Sequence, residues 1–212
     1  MDWVPKEIED YCIEHSTRPS KLARELELFT RSSVHGSQML IGELEASFIT
    51  SLLHLSRAQH VLELGTFTGY SALVMAEQLP ENGTVTTIDI NPHTTKIAQE
   101  YWDKSPHGKK IKLILKPGLE ALEECQQKYD FIFIDADKNN YTNYLKWSLE
   151  HLSERGFIIV DNTIWKGKVL TPELDKQTAS ICAHNDFARD LKGHTKTLLP
   201  IRDGMFLIQI SP

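Results

Sequence analysis

Two periods divide the chain. Over residues 5–57 apolar positions recur three and four apart: Ile8, Tyr11 and Cys12, then Leu22, Leu26 and Phe29, then Leu44, Phe48, Ile49, Leu52 and Leu53. This spacing predicts three helices, an N-terminal helical layer over 1–57. Between the second and third, residues 32–41 are small and polar and predict a loop able to fold over a ligand. From residue 58 the pattern changes to short apolar or β-branched runs separated by helical stretches. Strands are expected over 61–64, 85–89, 111–115, 131–134 and 157–160, and helices over 71–79, 92–103, 119–125, 141–152 and 172–191. Phe131 to Ile134 and Phe157 to Val160 are continuously apolar, as strands buried on both faces are. Residues 195–199 and 205–210 flank Asp203-Gly204, a hairpin signal. The expected architecture is α/β: a Rossmann-like, doubly wound, mostly parallel sheet over 58–212, with a C-terminal antiparallel edge hairpin. No Pro-, Gly- or Ser-rich linker or internal repeat divides it, so one domain over 1–212 is expected.

The most informative turn follows the first strand. Gly65 and Gly69 frame the passage from Val61-Leu62-Glu63-Leu64 into a helix, supplying freedom for a tight turn whose helix-start N–H groups can meet a ligand. About 20 residues on, the second strand ends in Asp89, where a carboxylate takes a ribose diol in doubly wound sheets. Phe67 stands where the second glycine of a dinucleotide turn belongs, and no Gly-Lys-Ser/Thr closes a phosphate loop. NAD, FAD and nucleoside triphosphates are therefore disfavoured. The remaining Glu-x-Gly-x-x-x-Gly pattern looks like the S-adenosylmethionine turn of class I methyltransferases.

Composition narrows the partners. With 41% hydrophobic and 25% charged residues the chain reads as an ordinary globular protein. Its formal charge of −6 and lack of a basic face argue against nucleic acid, and the local cluster Lys104, Lys109, Lys110 and Lys112 is expected to be a solvated loop. Neither a signal-peptide core nor a run of about 18 apolar residues is present, which predicts a cytoplasmic protein with no membrane partner. Cys12, Cys125 and Cys182 lack metal or disulfide spacing, and the nine histidines form no zinc motif.

In open α/β sheets ligands bind beyond the carboxyl ends of the strands. There this chain carries Asp135 and Asp137 after one apolar strand, and Asp161 and Asn162 after the next. Carboxylates and an amide carbonyl suit a hard cation, Mg²⁺ first, then Mn²⁺ or Ca²⁺. The alternative is that they serve as helix caps and turn residues. Lys138, three residues beyond Asp135, is the candidate general base, because neighbouring positive charge favours a neutral, proton-accepting amine.

These residues together resemble the cation-dependent O-methyltransferases of the caffeoyl-CoA and catechol type. The resemblance runs over about 39–167 and is most specific in Glu63 to Ser71, in Phe131 to Lys138 (FIFIDADK), and in Asp161-Asn162-Thr163-Ile164-Trp165; Arg202-Asp203-Gly204 is also familiar. It implies metal ligands at Asp135, Asp161 and Asn162 and a base at Lys138. It implies cofactor contacts at Met39, Ile41, Glu63, Gly65, Thr66, Ser71, Asp89, Gly118 and Asp135, and substrate contacts at Asp137 and Trp165. A homodimer is implied as well. The chain departs from plant members at Lys166 and Lys168, where Asn or Ser is common, and at Lys116-Pro117 ahead of Gly118. No coenzyme A pocket is recognisable in the N-terminal region. The expected activity is methyl transfer from S-adenosylmethionine to one hydroxyl of an aromatic vicinal diol of catechol, caffeoyl or flavonoid type. The alternatives are a different acceptor, or a non-catalytic S-adenosylmethionine-binding subunit.

Overall fold

The computed structural model describes residues 4–171 and 175–211. The N-terminal layer comprises α1 (Lys6–Glu14), α2 (Lys21–Ser33) and α3 (Glu43–Ser56). There follow β1 (His60–Leu64), α4 (Tyr70–Gln78), β2 (Thr84–Asp89), α5 (Pro92–Trp102), β3 (Ile111–Leu115), α6 (Gly118–Leu122), β4 (Tyr129–Ile134), α7 (Tyr141–His151), β5 (Leu152–Val160), α8 (Lys176–Asp190), β6 (His194–Leu199) and β7 (Met205–Ile210). The strands form one sheet in the order β3-β2-β1-β4-β5-β7-β6. The first five are parallel to one another, and β7 runs antiparallel between β5 and the edge strand β6.

Alternation of side chains across the strands splits the interior in two. Val61, Phe131, Phe133, Phe157 and Ile159 pack with α2, α3, α4 and α5 on one face. Leu62, Leu64, Ile132, Ile134, Ile158 and Val160 pack with α6, α7 and α8 on the other. A strand with helices on both sides has no polar face, hence the unbroken apolar runs. Local chemistry fixes the helix starts: Ser20 Oγ accepts from Ala23 N at 3.1 Å, and Asn91 Oδ1 from His93 N at 2.9 Å with Pro92 at the first helical position.

The register carries the consequence that matters most. Leu64 pairs with Ile88 on one side and Ile134 on the other, and Ile134 pairs with Val160. The next residue of each strand therefore falls on one rung: Asp89, Gly65, Asp135 and Asp161, in spatial order β2-β1-β4-β5. The hydrogen bonds continue that far, with Gly65 N donating to Ile88 O, Asp135 N to Leu64 O and Asp161 N to Ile134 O at 2.8–2.9 Å.

Several expectations are corrected. Helix α6 ends at Leu122 rather than 125, because the next three N–H groups turn to carbonyls three residues back. Strand β5 begins at Leu152, paired with Tyr129, although Ser153-Glu154-Arg155 carry no apolar strand signal; Ser153 Oγ instead donates to Asp130 at 2.8 Å. The stripe on α1 faces outward, with Ile8 53% and Tyr11 59% exposed. Lys110 is buried rather than solvated: its Nζ donates to Leu79 O at 2.7 Å and Ala76 O at 3.3 Å, neutralising the carbonyl end of α4. The last predicted helix begins at Lys176 among the described residues, and Pro172 to Leu174 lie outside them.

Candidate active site

A cavity of about 810 Å³ opens above the rung. Every predicted site residue but one lies on its wall: Met39, Ile41, Gly65, Thr66, Ser71, Asp89, Gly118, Asp135, Asp137, Lys138, Asp161, Asn162 and Trp165. Glu63 is the exception, fully buried beneath the turn.

At the β1–β2 end the backbone makes the wall. Gly65 adopts φ +105°, and a Cβ there would collide with the carbonyl oxygen of Asp135 on the neighbouring strand. Gly69 caps α4 at φ +78°, with space for a Cβ taken by Ala98 and the Trp102 ring. Asp89 holds the turn: one oxygen accepts from Thr66 N at 3.0 Å and Phe67 N at 2.8 Å, the other from Ile90 N at 2.7 Å and Asn91 N at 2.8 Å. A ribose diol would share lone pairs already engaged by the backbone. Below, Thr87 Oγ1 donates to Glu63 Oε2, while the buried Glu63 Oε1 has no partner among the described residues. Burial pushes the Glu63 carboxyl up to about 8. It is predominantly protonated at neutral pH.

At the β4–β5 end charge takes over. Lys138 Nζ donates to Asp135 Oδ1 at 2.8 Å, to Asn162 Oδ1 at 2.6 Å and to Tyr141 Oη at 2.6 Å; Tyr141 Oη donates onward to Asp161 O at 3.0 Å. Tyr141 is fully buried and packed edge-on by His184, whose imidazole burial drives down to about 4. The Asp161 carboxyl is 2% exposed, and burial, then Glu45, then Asp135 push it well above the usual carboxylate range. Asp137 is engaged by Tyr144 Oη and, at 2.6 Å, by Asn140 Nδ2. The Trp165 ring centroid lies 5.9 Å from Lys138 Nζ, and its buried Nε1 has no hydrogen-bond partner among the described residues.

Among the described residues no three His, Cys, Asp or Glu side chains gather as a metal cluster; the predicted oxygen set reaches three only through the Asn162 amide. That set nonetheless fits a hard cation. Its members are all oxygen donors, a positively charged nitrogen lies against two of them, and Asp161 carries negative neighbours that a cation would offset.

Backbone strain marks the same place. Among the described residues six non-glycine ones take positive φ, and five of them, Phe67, Asn162, Trp165, Lys166 and Arg202, line this cavity. Such conformations cost about 1–3 kcal/mol each and gather at functional sites. Sequence reasoning missed Glu45, Tyr141, Tyr144 and Arg202 as cavity or supporting residues. Only Glu45, an acid within the apolar register of α3, left a local trace.

Residues 13–210 match the O-methyltransferase family. The chain belongs to it. Among relatives of this O-methyltransferase, the mouse catechol O-methyltransferase domain-containing protein 1 is 34% identical over 205 residues, covering 93% of this chain and 77% of that protein. Caffeoyl-CoA O-methyltransferase 2 of Populus trichocarpa is 34% identical over 176 residues, covering 77% and 71%. The fold recurs in an S-adenosylhomocysteine-bound methyltransferase of Podospora anserina, with TM-score 0.89, 23% identity and coverage of 98% and 95%. It recurs also in a Bacillus cereus O-methyltransferase in complex with S-adenosylhomocysteine, with TM-score 0.87, 21% identity and coverage of 97% of each chain. No helix among the described residues is long and apolar enough to cross a membrane.

Proposed function

We propose that this enzyme methylates one hydroxyl of an aromatic vicinal diol of catechol, caffeoyl or flavonoid type, with a divalent cation held by Asp135, Asp161 and Asn162. The observation that carries the reading is the seat of Lys138: a positively charged nitrogen 2.6–2.8 Å from two of those three oxygen side chains, in the cavity that also holds the glycine turn. S-adenosylmethionine supplies the methyl group, with Asp89 as the proposed ribose contact. Bound at the acidic end, a cation such as Mg²⁺ supplies Lewis-acid stabilisation of developing oxyanion charge.

The chain's own residues do the rest. In its neutral form, which a cation at the neighbouring oxygens would favour, Lys138 receives the hydroxyl proton at Nζ, and Tyr141 and Asp135 fix where that nitrogen stands. The acceptor oxygen forms its bond to the methyl carbon as the carbon–sulfur bond breaks, leaving S-adenosylhomocysteine. Trp165 gives the aromatic ring an apolar wall and an unpaired N–H. Alignment of oxygen and methyl is the main contribution, since small misplacements cost about 10²-fold. The reading extends to a cytoplasmic homodimer acting on small molecules.

The test is a methyl-transfer assay on a catechol, its matching monophenol and its monomethylated product, before and after metal stripping. Activity is expected on the catechol alone, lost with EDTA and restored by Mg²⁺ or Mn²⁺. Equal kcat/KM for catechol and monophenol, or full activity after stripping, would overturn the diol and metal assignments.

A further inference from the structure

We propose that Arg202 is a positioning residue for the cofactor wall, a clamp through which the β6–β7 hairpin tip holds the segment Leu40–Glu45 in place. Ile41 on this stretch and Met39 just before it line the cavity, yet the local ties are short: Met39 N donates to Gly36 O and Leu40 N to Ser37 O. Among the described residues, the one hydrogen bond joining 37–42 to a distant part of the chain comes from Arg202, whose Nη1 donates to Leu40 O at 3.1 Å. The same nitrogen pairs with the Glu45 carboxylate, and Glu45 Oε2 accepts from Gly42 N at 2.7 Å. One guanidinium nitrogen thus grips the segment at both ends, across a chain separation of 162 and 157 residues.

The geometry is costly to maintain. Arg202 holds a left-handed backbone at φ 44°, and Glu45 is 1% exposed. A pair with one buried partner contributes little net stability compared with apolar side chains of similar size, whereas loss of Arg202 leaves the buried Glu45 uncompensated. Fixing a conformation is the role that such a pair serves better. The hairpin tip is also anchored opposite: Asp203 O accepts from Ile164 N at 2.8 Å, and Gly204 O from Thr163 N at 3.0 Å. Arg202 therefore references the cofactor wall to the loop that follows β5.

The proposal rests on the cavity taking S-adenosylmethionine, which titration of the wild-type enzyme with S-adenosylhomocysteine tests separately. In the same calorimetric experiment Arg202→Gly, which relieves the left-handed strain, should bind S-adenosylhomocysteine about tenfold more weakly, the scale of a lost buried hydrogen bond. Arg202→Lys should lie between, because the shorter side chain leaves its ammonium short of the place Nη1 takes between the two acceptors. The double variant Glu45→Gln/Arg202→Met removes both charges and should recover melting temperature but not affinity. Wild-type affinity in Arg202→Gly, or affinity that returns with melting temperature in the double variant, would reduce the pair to a structural one and overturn the proposal.

Discussion

Around Asp89 four backbone N–H groups close on one carboxylate, and the turn between β1 and α4 is held by glycines and main-chain hydrogen bonds. Around Asp161 the opposite holds: carboxylates crowd together out of water, Lys138 bridges side chains, and Asn162, Trp165 and Lys166 sit in left-handed backbone. The first region is made by chain geometry, with Phe67 its one left-handed non-glycine residue among those described. The second stores unbalanced charge and strain, the condition in which a site gains most from what binds to it. The difference teaches that one end of the cavity is built for a constant ligand and the other for chemistry.

Lys138→Met should separate the two ends most sharply. Its kcat is expected to fall by roughly 10²–10⁴, the usual worth of a general base, with S-adenosylhomocysteine affinity nearly unchanged by calorimetry. Turnover at the wild-type rate across neutral pH would remove Lys138 from the chemistry. Asp89→Ala acts at the other end, and should weaken S-adenosylhomocysteine binding by about 1–3 kcal/mol through loss of the ribose contact and of the turn it holds. Unchanged affinity in a folded protein would break the assignment.

Beneath the turn, Glu63 gives a pH signature. Its folded carboxyl titrates near 8 against an ordinary 4.5, so between those values the native state keeps a proton that the unfolded chain releases. Stability should therefore fall as pH rises through this window, and Glu63→Gln should flatten the fall by about 1.4 kcal/mol per pH unit in denaturant titrations at several pH values. Parallel pH profiles for variant and wild type would place that carboxyl in contact with solvent or a compensating charge. The smallest effect is expected of Lys166→Gly, which relaxes φ 52° but adds freedom to the unfolded chain. A net gain of about 0.5 kcal/mol in calorimetric unfolding would locate strain in the β4–β5 end; a loss would show that the Lys166 side chain repays its backbone.

Much of the sheet was legible because buried parallel strands leave unbroken apolar runs, and Phe131 to Ile134 and Phe157 to Val160 are such runs. The glycine turn was legible because only glycine fits at Gly65. Tyr141 was not, since its importance lies in a hydroxyl shared between Lys138 and Asp161 O, a contact between two strand ends that no local pattern encodes. Arg202 was hidden for the same reason, its partners lying more than 150 residues away. Lys110 misled because lysine clusters usually face water, whereas here the end of α4 offers two carbonyls.

The single rung of Asp89, Gly65, Asp135 and Asp161 works as a ruler whose divisions are strand spacings of about 4.8 Å, so roughly 14 Å separates its ends. No loop sets that length. Insertions above the rung, in 162–171 or 34–42, change what the cavity admits while the graduations stay in place. A one-residue slip within β5 would instead turn Asp161 to the opposite face of the sheet and erase a mark. Descendants of such a chain can therefore trade one acceptor for another by rewriting loops alone, and the heritable part of the reaction is a measurement kept by the sheet.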